Sequence, residues 1–332
     1  MRRFTDRRAH SHLPAPASQH LPVAFVLSLA LLGISFAGPL VRLSHADPLA
    51  IAVWRLGFSL VLVAIALAIT GSWRQWRRLD RRSLAIAVGA GAMLAIHFWA
   101  WNASIGLTSV AASVVLVNAQ PAIVALLSVL WLREPPTRRQ WLGIAIAMLG
   151  AFVVALPSFI DATTARLPHA MLGNALAFLG AITGAAYFVA GRRLRETLDL
   201  WPYVGLVYGA CFVVLLACAM VTHTRVAPQP PRELWLFAAL AIGPMMLGHT
   251  GFNWALEHVP AYVVNLVLLG EPVGAAVLAA VLPGIRELPG VATCVGGVLV
   301  LAGVFAAALA PRPRLREGGP AGPAALRGQA VD

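Results

Sequence analysis

The sequence contains no lysine, and only 11% of its residues are charged. Soluble domains carry about 25% charged residues, so this composition argues against an ordinary soluble fold. The chain of 332 residues is 59% hydrophobic and has a mean hydropathy of +0.79. These values are typical of an integral membrane protein.

Cysteine is also scarce. The three cysteines, Cys211, Cys218 and Cys294, lie in apolar segments and show neither a disulfide framework nor zinc-ligand spacing. The sequence lacks a G-x-x-x-x-G-K-[ST] phosphate loop, a G-x-S-x-G elbow and an H-E-x-x-H motif, which carry ATPase, hydrolase and zinc protease chemistry. We therefore predict no metal site, no cofactor and no enzyme activity, with an intramembrane enzyme as the less favoured alternative.

The basic residues, all arginine, number 25 against 13 acidic residues, which gives a net charge of +12. They cluster in short stretches between apolar runs. Because a nucleic-acid-binding protein would gather them on one surface, no nucleic-acid partner is predicted.

The apolar runs are long enough to cross a membrane, since a bilayer core of about 30 Å needs about 20 residues of helix. The sequence predicts an all-α membrane protein with ten transmembrane helices. The predicted spans are 21–41, 48–70, 83–103, 107–132, 138–156, 172–190, 202–221, 233–253, 259–282 and 288–310. Residues 1–19 and 311–332 are polar and proline-rich, and we predict that both tails are disordered.

Arginine placement sets the predicted orientation, since basic residues accumulate in cytoplasmic loops. With the N-terminus inside, 19 arginines fall on the cytoplasmic side and 5 on the outer side. Both termini are therefore predicted to be cytoplasmic. The start "MRRFTDRRAH" resembles a signal peptide, but a full-length apolar run without an A-x-A site follows it, so we expect an uncleaved first helix. The use of arginine without lysine, with abundant alanine, glycine and proline, indicates a bacterial inner membrane.

The chain contains an internal repeat. "REPPTRRQWLGIAIAMLGAFV" from Arg133 matches "RELPGVATCVGGVLVLAGVF" from Arg286. The matched positions are Glu134 with Glu287, Gly143 with Gly296, Gly150 with Gly303, and Gln120-Pro121 with Glu271-Pro272. Because each unit holds an odd number of spans, the second unit enters the membrane upside down. We predict two inverted five-helix repeats at 20–157 and 170–310, with two extra residues between Pro272 and Glu287 that leave the end of span nine open.

Four stretches carry a resemblance to a known family: "AVWRLGFSLVLVA", "TSVAASVVLVNAQPAIVALLSVLWLREPPTRRQWLGIAIAMLGAFV", "AAYFVAGRRLRE" and "NLVLLGEPVGAAVLAAVL". Together with the duplicated spans, they resemble the EamA-type family of the drug/metabolite transporter superfamily over about 21–310. The resemblance implies export of small metabolites or drugs, such as amino acids or related amphipathic compounds, through a cavity between the two halves.

Glu271 is the only acidic residue near the middle of a span. An ionisable group there indicates function, so Glu271 is predicted to carry a proton or bind a substrate cation; the alternative is a hydrogen-bonded structural acid. Asn118 and Gln120 lie beside Pro121 in the matching turn of span four. Such polar turns are tolerated when they face a cavity or another helix. We predict that Asn118, Gln120, Asn265 and Glu271 face one shared cavity.

Two histidines, His97 and His249, occupy equivalent positions in the repeats, and Asn253 follows the second. Counting along the spans places His97 in the outer third of the membrane and His249 in the inner third. The pair is a candidate proton relay, with plain hydrogen bonding as the alternative. Trp101 follows His97, either in an aromatic belt with its neighbour Trp99 or at the substrate.

Arg55 is the only arginine within a predicted span. Its side chain either extends to the membrane surface or attracts an anionic substrate group or a carboxylate. Tyr187 of span six is a further candidate for substrate contact.

These predictions describe a secondary transporter that works by alternating access. A passive facilitator of the same fold stays open as an alternative. The expected partners are a small-molecule substrate, membrane lipids and protons. The sequence leaves the oligomeric state open, because the duplicated halves allow a functional monomer.

Overall fold

The computed structural model describes residues 20–108, 113, 116–160, 169–281 and 290–308. Both predicted tails and the end of span nine lie outside the described residues. Every regular element in the described part is helical. The α-helices are α1 His20–Ser35, α2 Ala37–Leu43, α3 Pro48–Thr70, α4 Arg81–Leu107, α5 Gln120–Leu127, α6 Arg138–Ile160, α7 Ala170–Leu194, α8 Leu200–Val221, α9 Pro231–Leu240, α10 Thr250–Ala255, α11 Ala261–Leu268, α12 Glu271–Val281 and α13 Val291–Ala308. A 3-10 helix covers Ser72–Arg78, and π-helical segments cover Ser128–Leu132 and Ala241–His249.

The helical membrane architecture predicted from the sequence is confirmed. Within the described ranges, seven helical stretches are long and apolar enough to cross a membrane, and two shorter apolar helices lie at Gln120–Leu132 and Cys294–Ala307. Each predicted span contains at least one described helix. The count of ten membrane crossings stays a prediction.

Local sequence signals fix the ends of α3 and α4. Asp47 precedes α3 and accepts a hydrogen bond from the Leu49 amide at 2.8 Å, which satisfies one free donor of the first turn. The helix ends at Gly71, whose φ of 63° is a left-handed conformation that favours glycine. Asp80 caps α4 in the same way, accepting from the Ser83 amide at 3.1 Å.

The pairing of α6 with α13 relates the two repeats. A Cβ atom added at Gly143 would lie 2.6 Å from the Gly303 carbonyl oxygen, and one added at Gly150 would lie 2.6 Å from that of Gly296. Only glycine therefore allows the backbones to approach this closely. Since Gly143 matches Gly296 and Gly150 matches Gly303 in the repeat, the contacts are reciprocal. Such reciprocity is what two repeat-related antiparallel helices produce.

Two spans are less regular than the sequence predicts. Span one consists of α1 and α2, which are separated at Phe36 just before Pro39. Span eight contains the π-helical segment Ala241–His249, which includes Pro244. Proline removes a backbone donor and disturbs the regular hydrogen-bond ladder, so neither span is a straight α-helix.

The two repeats pack into each other around the centre of the molecule. Helix α4 of the first repeat packs against α7 and α8 of the second, while α1 packs against the π-helical part of span eight. Helix α5 meets α11. Side chains from spans one to four therefore face side chains from spans six, eight and nine around a central space.

Candidate functional site

A cavity lies where these spans meet, and residues of both repeats form its wall. The first repeat supplies Ile34, Ala37, Arg55, His97, Phe98, Trp101, Val117, Asn118 and Gln120, and the second supplies Gly184, Tyr187, Phe188, His249, Leu268 and Glu271. Eight of the ten candidate residues predicted from the sequence are in this wall. The cavity has a volume of about 40 Å³, which is room for water but not for a ligand of the size that small-molecule pockets of about 300–1,000 Å³ hold.

Arg55 is the most unusual residue of the wall. Its side chain is only 1% exposed, which rules out the first of its two alternatives, a side chain that extends to the membrane surface. The guanidinium lies 4.4 Å from the centre of the Phe98 ring, a cation–π distance. Its Nε and Nη2 atoms have no hydrogen-bond partner among the described residues. A buried cation with free donors is costly, so its geometry favours a negatively charged oxygen in the cavity.

Glu271 is the carboxylate of the same cavity. It interacts electrostatically with Arg55, but within the described part of the chain the two form no ion pair. Glu271 is also the first residue of α12, where the free amides of a helix N-terminus stabilise a carboxylate. The cavity therefore holds one cation and one acid that remain available to a bound molecule.

Both repeats have an interrupted helix at the cavity. In span nine, α11 ends at Leu268 and α12 begins at Glu271. In span four, a turn at Asn118 and Ala119 precedes α5, which begins at Gln120. The interruptions lie at the matched Gln120-Pro121 and Glu271-Pro272 pairs. Each new half-helix has proline as its second residue, where the missing amide costs no hydrogen bond.

A buried amide pair joins the two interrupted spans. Gln120 Nε2 donates to Asn265 Oδ1, and Asn265 Nδ2 donates to the Ala261 carbonyl oxygen at 3.0 Å. Asn265 is fully buried and is not part of the cavity wall. The structure thus brings Asn118, Gln120 and Glu271 to the cavity wall. Asn265 lies behind Gln120 and joins two helices, so the prediction that Asn265 faces the cavity is wrong.

The two histidines lie side by side. Their ring centroids are 6.3 Å apart, which is too close for residues in the outer and inner thirds of a core about 30 Å thick. The predicted depths are therefore wrong, because counting residues assumes a straight α-helix, whereas His249 ends a π-helical segment. His97 Nδ1 bonds the Gly180 carbonyl oxygen at 2.8 Å. His249 Nδ1 has no hydrogen-bond partner among the described residues.

Asn253 lies outside the cavity wall but supports it. Its Nδ2 donates to Tyr187 Oη at 2.5 Å and to Tyr208 Oη at 3.3 Å. Tyr208 in turn shares a hydrogen bond of 2.9 Å with the Thr250 hydroxyl. Tyr187 is completely buried and lines the cavity, so this network fixes the position of its hydroxyl.

Aromatic side chains form much of the apolar wall, and the sequence identified only part of them. Trp101 is 5% exposed and lines the cavity, which excludes the aromatic belt as its position. Its neighbour Trp99 is 41% exposed. Phe98 and Phe188 also line the cavity. No sequence signal distinguishes these two phenylalanines from ordinary core residues, because their spacing is the same.

Polar contacts gather near the start of α8, and one of them links the two repeats. Arg192 Nη2 pairs with Glu134 Oε1 at 2.7 Å, and its Nη1 donates to the Leu256 carbonyl oxygen at 2.6 Å. Arg195 pairs with Glu257. Glu134 thereby joins the loop between spans four and five to the end of span six. We call the Glu134–Arg192 pair the first seal.

A second set of contacts lies at the opposite end of α8, where α9 begins. Glu233 is 5% exposed. It accepts hydrogen bonds from the Ser44 hydroxyl at 2.5 Å, the His45 amide at 3.3 Å and Arg232 Nη1 at 3.0 Å. This set, the second seal, joins the loop between spans one and two to span eight. The central cavity therefore lies between two polar closures.

Comparison with known proteins finds one family in both halves of the chain. The model of the EamA-like transporter family matches residues 21–156 and 171–309. An uncharacterized transporter of Archaeoglobus fulgidus is 25% identical over 285 residues, covering 85% of this chain and 96% of the relative. The uncharacterized transporter YyaM of Bacillus subtilis is 26% identical over 295 residues, covering 84% and 92%.

The fold also matches a solved structure. A crystal structure described only as that of a protein has a TM-score of 0.70 and 17% sequence identity, covering 87% of this chain and 97% of that chain. At this identity the likeness establishes the shared fold alone.

Proposed function

Because the chain belongs to the EamA-like transporter family, we propose that it is a secondary transporter that moves small amphipathic molecules across the membrane through the cavity of Arg55 and Glu271. One observation carries the proposal: a buried arginine with free donors shares an inter-repeat cavity with the carboxyl group of Glu271. The proposed direction is export across a bacterial inner membrane. The proposed substrates are metabolites or drugs, including amino acids and related compounds.

The cavity wall suggests how such a molecule is held. Arg55 offers Nε and Nη2 to an anionic oxygen of the substrate, since planar guanidinium donors suit a carboxylate. Phe98, Trp101 and Phe188 offer an aromatic surface to its apolar part. Glu271 takes either a proton or a cationic group of the substrate. A molecule with one anionic group and one apolar group would bind both Arg55 and the aromatic surface.

The small size of the cavity supports alternating access. A volume of about 40 Å³ cannot hold a metabolite, so binding requires one side of the cavity to widen. The two seals lie at opposite ends of α8, and each joins different spans. Opening one seal while the other stays closed would expose the cavity to one side at a time.

Opening of the first seal is testable with a cysteine in the cavity wall. Replacing Glu134 with glutamine leaves Arg192 without its ion pair. Because a partly exposed pair is worth about 1 kcal/mol, the open population should rise about fivefold. The measurement is the labelling rate of Val117→Cys, in a background without native cysteines, by a membrane-impermeant thiol reagent added to inverted vesicles.

The matched control is Glu196→Gln, which removes an exposed acid near the same end of span six. It should leave the labelling rate unchanged. An unchanged rate in Glu134→Gln, or faster labelling from the opposite side only, would show that this pair does not close the cavity.

The proposed topology has its own test. Both termini and the loop 72–83 are proposed to face the cytoplasm, and Arg225 the outside. In the same cysteine-free background, an impermeant reagent should label Arg225→Cys in intact cells and label Gln75→Cys only after the membrane is opened. Labelling of Gln75→Cys in intact cells would reverse the orientation.

A growth screen tests the transport proposal itself. Cells that overproduce the protein should tolerate higher concentrations of toxic amphipathic compounds that carry a carboxylate, because export lowers their internal concentration. Cells that overproduce Arg55→Gln should show no added tolerance. A passive facilitator would instead speed equilibration and increase sensitivity when the compound is supplied outside.

A further inference from the structure

A second, larger cavity lies far from the transport site, at the end of α3. We call it the basic pocket. It has a volume of about 460 Å³, and its wall includes Thr70, Ser72, Arg74, Arg77, Arg78 and Asp199. This volume lies within the range of about 300–1,000 Å³ that holds small ligands. The transport proposal does not use any of these residues.

The described residues leave the arginines of the basic pocket without ion pairs. Among the described residues, no ion pair involves Arg74, Arg77 or Arg78. The one carboxylate in the wall, Asp199, accepts a hydrogen bond from Gln75 Nε2 at 2.5 Å. Three arginines and one carboxylate thus surround the pocket, which leaves it with a net positive charge.

A nearby acid is engaged as well. Asp80 accepts a hydrogen bond from the Ser83 amide at 3.1 Å. Hydrogen bonds from the Ser83 side chain and amide hold the pKa of the Asp80 carboxyl below its ordinary value. Asp80 therefore caps α4, and among the described residues it forms no ion pair with the arginines of the pocket.

The segment that carries the arginines is held in place. Trp76 of the 3-10 helix donates from Nε1 to the Pro202 carbonyl oxygen at 3.0 Å. The Asp199 amide donates to Gln75 Oε1 at 3.1 Å. Arg74 and Arg77 lie 5.7 and 5.3 Å from the Trp73 ring centre. Stacking orients a guanidinium without using its N–H donors, so the pocket is preorganised for an anion.

The position of the pocket indicates the source of that anion. Its wall contains the last residue of α3 and the residue before α8, and α4 begins three residues beyond Arg78. All three helices are candidate membrane spans, so the pocket opens at the level of the lipid headgroups. Trp73, which is 37% exposed, is a residue type enriched at that level. Basic clusters directly beside transmembrane helices attract anionic headgroups.

We propose that the basic pocket binds the phosphate group of an anionic phospholipid. The three arginines supply the charge and the N–H donors that phosphate oxygens accept. Because one phosphate chemistry serves lipids and soluble phosphates alike, the test compares both sources.

The test measures lipid binding to the purified full-length protein in a neutral detergent. Native mass spectrometry reports the fraction bound to dioleoylphosphatidylglycerol as its concentration is raised, with dioleoylphosphatidylcholine as the neutral reference. We expect selective retention of phosphatidylglycerol. Arg77→Gln combined with Arg78→Gln should weaken it about 25-fold, since each basic residue contributes about fivefold to headgroup attraction.

Two control variants separate charge from folding. Arg77→Lys with Arg78→Lys keeps both charges and should retain most of the binding. Arg225→Gln removes one exposed charge at the opposite end of α8 and should have no effect. Equal retention of phosphatidylglycerol by the wild type and the double glutamine variant would overturn the proposal. Displacement of the lipid by millimolar inorganic phosphate, with equal stabilisation, would overturn the lipid assignment in favour of a soluble phosphate.

Discussion

Replacing Glu271 with glutamine should abolish the response of transport to a pH gradient. The substitution keeps the shape and hydrogen-bonding capacity of the side chain but removes its ability to carry a proton. Glu271 lines the cavity, and a carboxyl group at that depth is the natural exchange point for protons. Exchange of substrate down its own gradient should persist. The measurement is substrate flux into proteoliposomes with and without an imposed pH gradient.

Two further variants make the result specific. Glu271→Asp retains a carboxyl group and should keep part of the gradient response. Glu196→Gln makes the same chemical change at an exposed position and should behave as the wild type. If Glu271→Gln responds to the gradient as strongly as the wild type, Glu271 does not couple transport to protons, and the histidine pair becomes the next candidate.

Replacing Arg55 should weaken transport without lowering the stability of the fold. Truncating one partner of a buried charged contact costs about 2–5 kcal/mol of binding, so Arg55→Met should weaken substrate affinity by about 30-fold or more. The same change removes a buried cation whose Nε and Nη2 atoms lack partners. Buried charges replaced by apolar side chains of similar size often leave a protein equally or more stable. The melting temperature should therefore not fall.

This pair of readouts distinguishes a substrate site from a structural one. Flux at a range of substrate concentrations gives the affinity, and thermal unfolding in detergent gives the stability. Arg55→Lys keeps the charge without the planar donor group and should fall between the wild type and Arg55→Met. A melting temperature well below that of the wild type would show that Arg55 mainly holds the helices together.

The sequence predicted the architecture better than the details of the site. Apolar run length and the repeated glycines identify the helices and the duplication, because hydrocarbon allows few other structures. The matched Gln120-Pro121 and Glu271-Pro272 pairs also mark the two positions at which a helix is interrupted. These features depend on local sequence, so no knowledge of the packing was needed.

Features that depend on packing were harder to predict. The predicted depth of His249 was wrong because His249 ends a π-helical segment, whereas the count along the sequence assumed a regular α-helix. The sequence left two positions open for Trp101, because its burial depends on how α4 packs against other spans. Phe98 and Phe188 were missed, since an aromatic residue in a cavity wall and one in a core have the same sequence pattern. Asn265 was predicted to face the cavity. It instead bonds Gln120 of the other repeat, a contact that depends on how the repeats pack.

The most direct test of the proposed carrier site is counterflow in proteoliposomes, using a compound identified in the growth screen. Vesicles are loaded with unlabelled compound and diluted into a trace of labelled compound. For the wild type we expect a transient accumulation of label, which persists in Glu271→Gln and disappears in Arg55→Gln. Accumulation in Arg55→Gln equal to that of the wild type would contradict the assignment of the cavity as the substrate site, and chemical conversion of the label would contradict transport itself.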